Sequence, residues 1–120
     1  MAIKNIEYTD RTHEYLQECL DMALTILELR DWSVKLYSGE VPPKELREGI
    51  NDAGIVKYDR HRLCASIFIN IPICKEEDED PAWNLFHEVC HIWFNTRDEN
   101  EELQCNVLAL LLMLLLGEKK

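Results

Sequence analysis

The segment WNLFHEVCHIWF, residues 83–94, constrains the fold of this chain more than any other. Its apolar side chains recur every three or four residues, which is the spacing of one face of an α-helix. These side chains are Trp83, Phe86, Val89, Cys90, Trp93 and Phe94. The pattern predicts a helix over about residues 82–95, and such a helix has to bury its apolar face against other elements.

His87 and His91 lie four residues apart in this segment, so they share one face of the helix and are separated by one turn. Two imidazoles in that arrangement can reach a single metal ion at about 2.0 Å. Glu88 directly follows the first histidine, which places a carboxylate where it can accept a proton from an activated water. The pattern therefore predicts two metal ligands and a general base, and the alternative is a helix that carries these residues without a metal.

A catalytic zinc site usually has a third protein ligand, and the segment after this helix offers several acids. The candidates within eleven residues of His91 are Asp98, Glu99, Glu101 and Glu102. If two antiparallel helices pack across the short turn, a carboxylate at the start of the second helix faces the first. We favour Glu102, because Asn106 lies one turn beyond it and would be placed to orient a ligand histidine. The alternative is that these acids only complement the positive end of a helix.

The rest of the sequence predicts an α+β fold in a single domain, residues 1–120. An amphipathic helix is expected over residues 12–29, followed by a strand in DWSVKLYSG, residues 31–39. The runs GIVKYD and LCASIFINI predict a hairpin that ends at Pro72. The fold thus places the histidine pair after a small sheet.

Two stretches in the C-terminal half, one acidic and one apolar, have simple structural interpretations. The acidic residues 75–81 are predicted to form a solvated loop. A final helix is expected over residues 99–116, with Asp98 as an N-cap and Glu101 at capping-box spacing. Its apolar run, residues 107–116, is too short to span a membrane and is predicted to be a buried helix.

The charge and cysteine content exclude some classes of function. The chain has 13 basic and 23 acidic residues, a formal net charge of -10, which would repel a phosphate backbone and makes direct nucleic-acid binding a poor hypothesis. The five cysteines form no CxxC pair and predict free thiols of a reducing compartment. Together with the absence of an apolar signal core near Met1, this predicts a cytoplasmic protein without a membrane segment.

Two stretches together resemble the ImmA/IrrE family of zinc metallopeptidases, and more broadly the gluzincins, in which a downstream glutamate completes HExxH. They are SIFINIPICKEEDEDPAWNLFHEVCH and EELQCNVLALLLM, and the resemblance covers roughly residues 63–114. It implies a minimal zincin-like metallopeptidase domain with an N-terminal helix and a mainly antiparallel sheet of about three strands. It also implies zinc ligands His87, His91 and Glu102, with Glu88 as the general base. The sequence departs from the family pattern at Cys90, usually glycine, and at Gln104, often an acid.

The same resemblance implies a protein substrate. Members of the family are often encoded with a repressor that they cleave or inactivate, so a partner repressor is the expected substrate. The rival hypothesis is a non-catalytic zinc-containing regulator that only binds such a repressor, and a third is a helical interaction protein without metal. The oligomeric state is left open by the sequence.

Several other side chains are weaker candidates. His61 lies at the predicted hairpin turn, where solvent exposure is the simplest expectation, and Arg60 and Arg62 there could hold an acidic substrate. Tyr37 and Tyr58 could donate a hydrogen bond in a transition state, although strand tyrosines usually serve packing. Cys90 is turned about 100° from His91 on the helix and is therefore expected to pack inward.

Overall fold

A computed structural model of the chain describes residues 10–49, 52–94 and 100–118. In these residues an N-terminal helix is followed by a small sheet and then by three further helices. The elements are α1 (Asp10–Ile26), β1 (Ser33–Gly39), a 3-10 helix (Lys44–Gly49), β2 (Gly54–Asp59), β3 (Cys64–Asn70), α2 (Ile71–Glu76), α3 (Pro81–Trp93) and α4 (Glu101–Glu118). The predicted α+β class is confirmed.

The three strands form one mixed sheet in the order β1-β3-β2. β2 and β3 pair antiparallel, with Ile55 opposite Phe68, so the predicted hairpin is confirmed. β1 pairs parallel to β3, with Leu36 opposite Ile67. The expectation of a mainly antiparallel sheet is therefore wrong, because the chain between β1 and β2 crosses over and brings β1 to the far side of β3.

Helix α3 is the central element, since it contacts α1, α4 and the strands β2 and β3. The side chains of Leu85, Phe86, Val89 and Ile92 on it have no solvent exposure. Cys90 is also fully buried, as its position on the helix predicts. The predicted helix over residues 82–95 agrees with the observed Pro81–Trp93 within one residue at its start, and Asn95 lies outside the described residues.

Helix α2 is absent from the sequence-based prediction, which continued the hairpin to Pro72 and made residues 75–81 a loop. The strand ends at Asn70 instead, because the Asn70 side chain accepts a hydrogen bond from the Ile73 backbone N–H at 3.1 Å and caps a new helix. Pro72 suits the first turn of a helix, where a missing N–H costs nothing. The loop between α2 and α3 is consequently short.

The apolar run of α4 is only partly buried, so the prediction of a buried helix over residues 107–116 is wrong. Ala109 and Leu112 lie in the core, whereas Leu110, Leu111 and Leu114 are at least half exposed. The reason is that α4 is apolar on nearly all sides but packs mainly on α3. Helix α3 covers only one face of it, and the other apolar side chains stay exposed. No helix among the described residues is long and apolar enough to cross a membrane.

Arg60, at the turn between β2 and β3, ties the sheet to the end of α3. Its Nη2 donates to the backbone carbonyl of Phe94 at 2.7 Å and to that of His91 at 3.4 Å. Its guanidinium also lies 4.9 Å from the centre of the Tyr58 ring. A cation at the carboxyl end of a helix complements the partial negative charge there, so these contacts give Arg60 a structural role.

Replacing Arg60 with alanine should lower the free energy of unfolding by about 1–3 kcal/mol, because two helix-end carbonyls lose a charged donor. Urea unfolding followed by circular dichroism measures this change. Arg62→Ala is the matched control, since the Arg62 side chain is 84% exposed and its change should stay within about 0.5 kcal/mol. Equal unfolding midpoints for the two variants would contradict the role given to Arg60.

Candidate metal centre

Side chains from α3 and α4 converge at one point. His91 Nε2 lies 3.2 Å from His87 Nε2 and 2.9 Å from Glu102 Oε1, and His87 Nε2 lies 3.0 Å from Glu102 Oε2. Among the described residues these three form the one group of potential ligands close enough to hold a metal ion. The three predicted ligands are thus brought together by the packing of α4 on α3.

The donor atoms fit a metal ion. For bonds of about 2.0 Å, neighbouring corners of a tetrahedron are roughly 3.3 Å apart, close to the observed spacings. Two imidazole nitrogens and a carboxylate suit zinc, and other divalent ions accept the same donors. With three corners supplied by protein, the fourth would be available to water or substrate.

Glu101 strengthens the case for metal binding without being a ligand. Its Oε2 accepts a hydrogen bond from His91 Nδ1 at 2.8 Å, and the Glu101 side chain is only 11% exposed. This contact keeps the proton of a neutral imidazole on Nδ1, so that Nε2 points its lone pair at the other two donors. Glu101, one of the acids considered for the third ligand, therefore orients His91, while Asp98 and Glu99 lie outside the described residues.

The His87 ring contacts Trp83 on its own helix and Glu102 on α4. Its ring stacks on Trp83 with 5.5 Å between ring centres. Burial lowers the pKa of His87, against an opposing effect of Glu102 and, more weakly, of Asn106. Its buried Nδ1 has no hydrogen-bond partner among the described residues. A lowered pKa keeps the imidazole neutral near pH 7, which is the form that binds metal.

Glu88 lies beside this group and lines the same cleft, so its carboxylate oxygens face the cleft and form no hydrogen bond with a described residue. The residue is 9% exposed, and burial, with smaller effects of Glu102 and Asp52, raises its pKa to about 8. Its Cγ and Oε2 approach β2 so closely that a Cβ at Gly54 would lie 3.2 Å from each. A buried carboxyl without a partner is costly, and catalytic acids and bases are often found in this state.

The group opens into a cleft of about 590 Å³ between the helices α3 and α4 and the edge strand β2. Five acids line the cleft, and lysine and arginine are missing from its lining. Glu88 and Glu102 are expected at the site from the sequence, whereas the other three acids are not. These are Asp52, Glu77 and Glu79. For Glu77 and Glu79, the sequence signal is the acidic run at the end of α2. That run resembles a solvated loop when α2 is not recognised.

The remaining candidates fall into two groups. Tyr58 lines the cleft, whereas Tyr37 belongs to β1 on the opposite edge of the sheet and does not. His61 and Arg62 are exposed at the turn and are missing from the cleft lining. Tyr58 is therefore the one of these side chains that remains placed to contact a bound substrate.

Family models, curated proteins and solved structures were each compared with the chain, and none of them matches it.

His87→Ala and Glu102→Gln should each abolish stoichiometric zinc binding, since two donors rarely hold the ion. Glu101→Gln should weaken it by about 10- to 100-fold, because the ligand histidine loses its orienting carboxylate. Isothermal titration calorimetry of zinc into chelator-treated protein provides the affinities, and His61→Ala is the matched histidine control. Unchanged zinc affinity in both His87→Ala and Glu102→Gln would refute the site.

Glu88→Gln should stabilise the metal-free protein, and the gain should grow with pH. The folded-state pKa of about 8 lies above the unfolded value of about 4.3, so ionisation opposes folding progressively between these values. The gain should be below about 1 kcal/mol at pH 5 and roughly 2–4 kcal/mol at pH 9. Urea unfolding in the presence of a chelator, with Glu14→Gln as the exposed control, tests this; a pH-independent difference would argue against a buried acid.

Proposed function

We propose that this protein is a zinc-dependent metallopeptidase of the ImmA/IrrE type that hydrolyses a peptide bond in a protein substrate. The observation that carries the proposal is the pairing of two features in one cleft. A group of three donors, His87, His91 and Glu102, stands next to a buried and unpartnered carboxyl, Glu88. A metal site that only stabilises a fold has no use for such a carboxyl.

Zinc, when bound, supplies the acidification of a water molecule and the polarisation of a substrate carbonyl. The chain's own residues do the rest. Glu88 takes a proton from the attacking water and later delivers it to the leaving amine. A bound cation would lower the pKa of Glu88 from its raised metal-free value, which favours the carboxylate that accepts the proton. Glu101 keeps His91 in the orientation that binding requires.

The cleft suits an extended substrate. β2 is an edge strand, and Gly54, Ile55, Val56 and Tyr58 on it line the cleft. An extended peptide can pair with such an edge through backbone hydrogen bonds, which places successive peptide groups over the helix α3. A partner repressor with an exposed flexible segment is the substrate that the sequence resemblance favours. Tyr58 is our candidate for a hydrogen bond to the polarised carbonyl oxygen.

The second candidate is a non-catalytic regulator that keeps the metal and binds a repressor. The exposed face of α4 favours it, because Leu103, Val107, Leu110 and Leu114 are more than half exposed and offer a surface for a partner helix. Binding alone, however, gives no reason to retain Glu88 without a hydrogen-bond partner at a cost in stability. We therefore prefer the peptidase.

Glu88→Gln should reduce peptide hydrolysis by about 10²- to 10⁴-fold while zinc affinity stays near that of the wild type, since Glu88 is not a ligand. The measurement is mass-spectrometric detection of cleaved products from zinc-loaded protein incubated with an unstructured protein and with its co-encoded regulator. His61→Ala is the control and should cleave as the wild type does.

Two results would overturn the peptidase. One is cleavage by Glu88→Gln at the wild-type rate, which would show that a contaminating protease cuts the substrate. The other is a zinc-loaded wild type that switches its regulator without cutting it, which would establish the regulator instead.

A further inference from the structure

The acidic lining of the cleft extends beyond the residues that the proposed chemistry uses. Asp52, Glu77 and Glu79 line it together with Glu88 and Glu102, and none of these first three belongs to the group of potential metal ligands. The described lining holds no lysine or arginine to offset these five carboxyl groups. The cleft is therefore acidic and suits a cationic ligand.

The loop that carries Glu77 and Glu79 is held firmly by the backbone. The Glu77 N–H donates to the carbonyl of Ile73 at the end of α2, and the Glu79 N–H donates to that of Cys74 at 2.8 Å. Asp80 then accepts from the Ala82 N–H at 2.9 Å and caps α3. The two glutamates are thus fixed beside the helix that carries the histidines.

Glu77 and Glu79 are in direct contact with each other. The hydrogen bond that protonated Glu79 donates to Glu77, followed by burial and the charge of Glu77, raises the pKa of Glu79 to about 7. Two carboxyl groups so close repel each other when both are charged, and a cation between them would relieve this repulsion. Among the described residues no third donor lies close enough to complete a second metal group there, which favours an organic cation.

Two further observations suggest a ligand in this cleft. Glu88 is nine-tenths buried, faces the cleft and has no hydrogen-bond partner in the described part of the chain. Trp83 also lines the cleft and is partly exposed, so the part of its ring that does not stack on His87 offers an aromatic surface for a guanidinium.

We infer that the cleft selects a substrate segment with a lysine or arginine side chain close to the bond that is cut, and that Glu77 and Glu79 bind its cationic group. Asp52, at the start of β2, adds negative charge to the same cleft. This inference rests on the proposed peptidase function. The formal net charge of the chain, -10, would also attract a basic segment over longer distances.

The test uses zinc-loaded wild-type protein and matched peptides that differ in one residue. Arginine is compared with citrulline, and lysine with acetyl-lysine, in peptides with a free or an acetylated N-terminus. Binding is measured by fluorescence anisotropy and cleavage separately by mass spectrometry. We expect kcat/KM to be about tenfold higher for the cationic member of each pair, irrespective of the N-terminus.

The Glu77→Gln/Glu79→Gln double variant should lose this preference to within about twofold. Glu77→Lys should instead favour a peptide with glutamate at the same position, which keeps the test valid if the double variant folds poorly. Asp78→Asn is the matched control, because Asp78 lies between the two glutamates, is exposed and is missing from the cleft lining. Its left-handed φ of 54° is one that asparagine tolerates.

The outcomes separate this inference from the proposed function. Cleavage without preference for a cation would overturn the inference and leave the peptidase standing. Preferential binding of arginine peptides without cleavage would support the acidic cleft and refute hydrolysis. A preference that follows the free N-terminus would overturn the side-chain subsite, and peptides neither bound nor cut would overturn both.

Discussion

The packing of α4 against α3 is the interaction on which the candidate site depends. Each helix alone presents an incomplete site, because α3 carries both histidines and α4 carries Glu102 and Glu101. The two histidine Nε2 atoms lie 3.2 Å apart within α3, and the contact with α4 brings the Glu102 oxygens to 3.0 Å from His87 and 2.9 Å from His91. Buried residues such as Val89 on α3 and Cys105 on α4 belong to the same core, so apolar burial holds these polar groups together.

Those parts of the site that follow from local geometry could be predicted from the sequence. His87 and His91 share a helix face because of the helical repeat alone, and Glu102 follows because the connection to the next helix is short. The neighbours of the site depend on non-local pairing instead. The parallel β1-β3 pairing and the missed helix α2 decide which residues surround the cleft, so Glu77 and Glu79 looked like ordinary solvated acids. The exposure of Leu110 likewise depends on how many elements cover α4, which periodicity does not reveal.

The site is assembled at a cost in stability that the rest of the fold offsets. The buried Glu88 disfavours the metal-free folded state, because burial raises the pKa of its carboxyl. The core around α3 supplies the compensation, since Leu85, Phe86 and Ile92 are fully buried. A divalent cation beside Glu88 would offset part of this cost, because it attracts the charged form of the carboxyl.

The sheet contributes to the site through Gly54, where a side chain would collide with Glu88. β2 runs past α3 at the level of Glu88, and Gly54 lets the backbone come close enough to shield that carboxyl from water. A larger residue would have to displace Glu88 or the strand, because its Cβ would lie 3.2 Å from Glu88 and 3.3 Å from Ile69. The same strand edge lines the cleft, so shielding the base and shaping the substrate path are two results of one close approach. The environment of Glu88 thus depends on the sheet as well as on its own helix, which explains why HExxH alone does not determine the chemistry of the site.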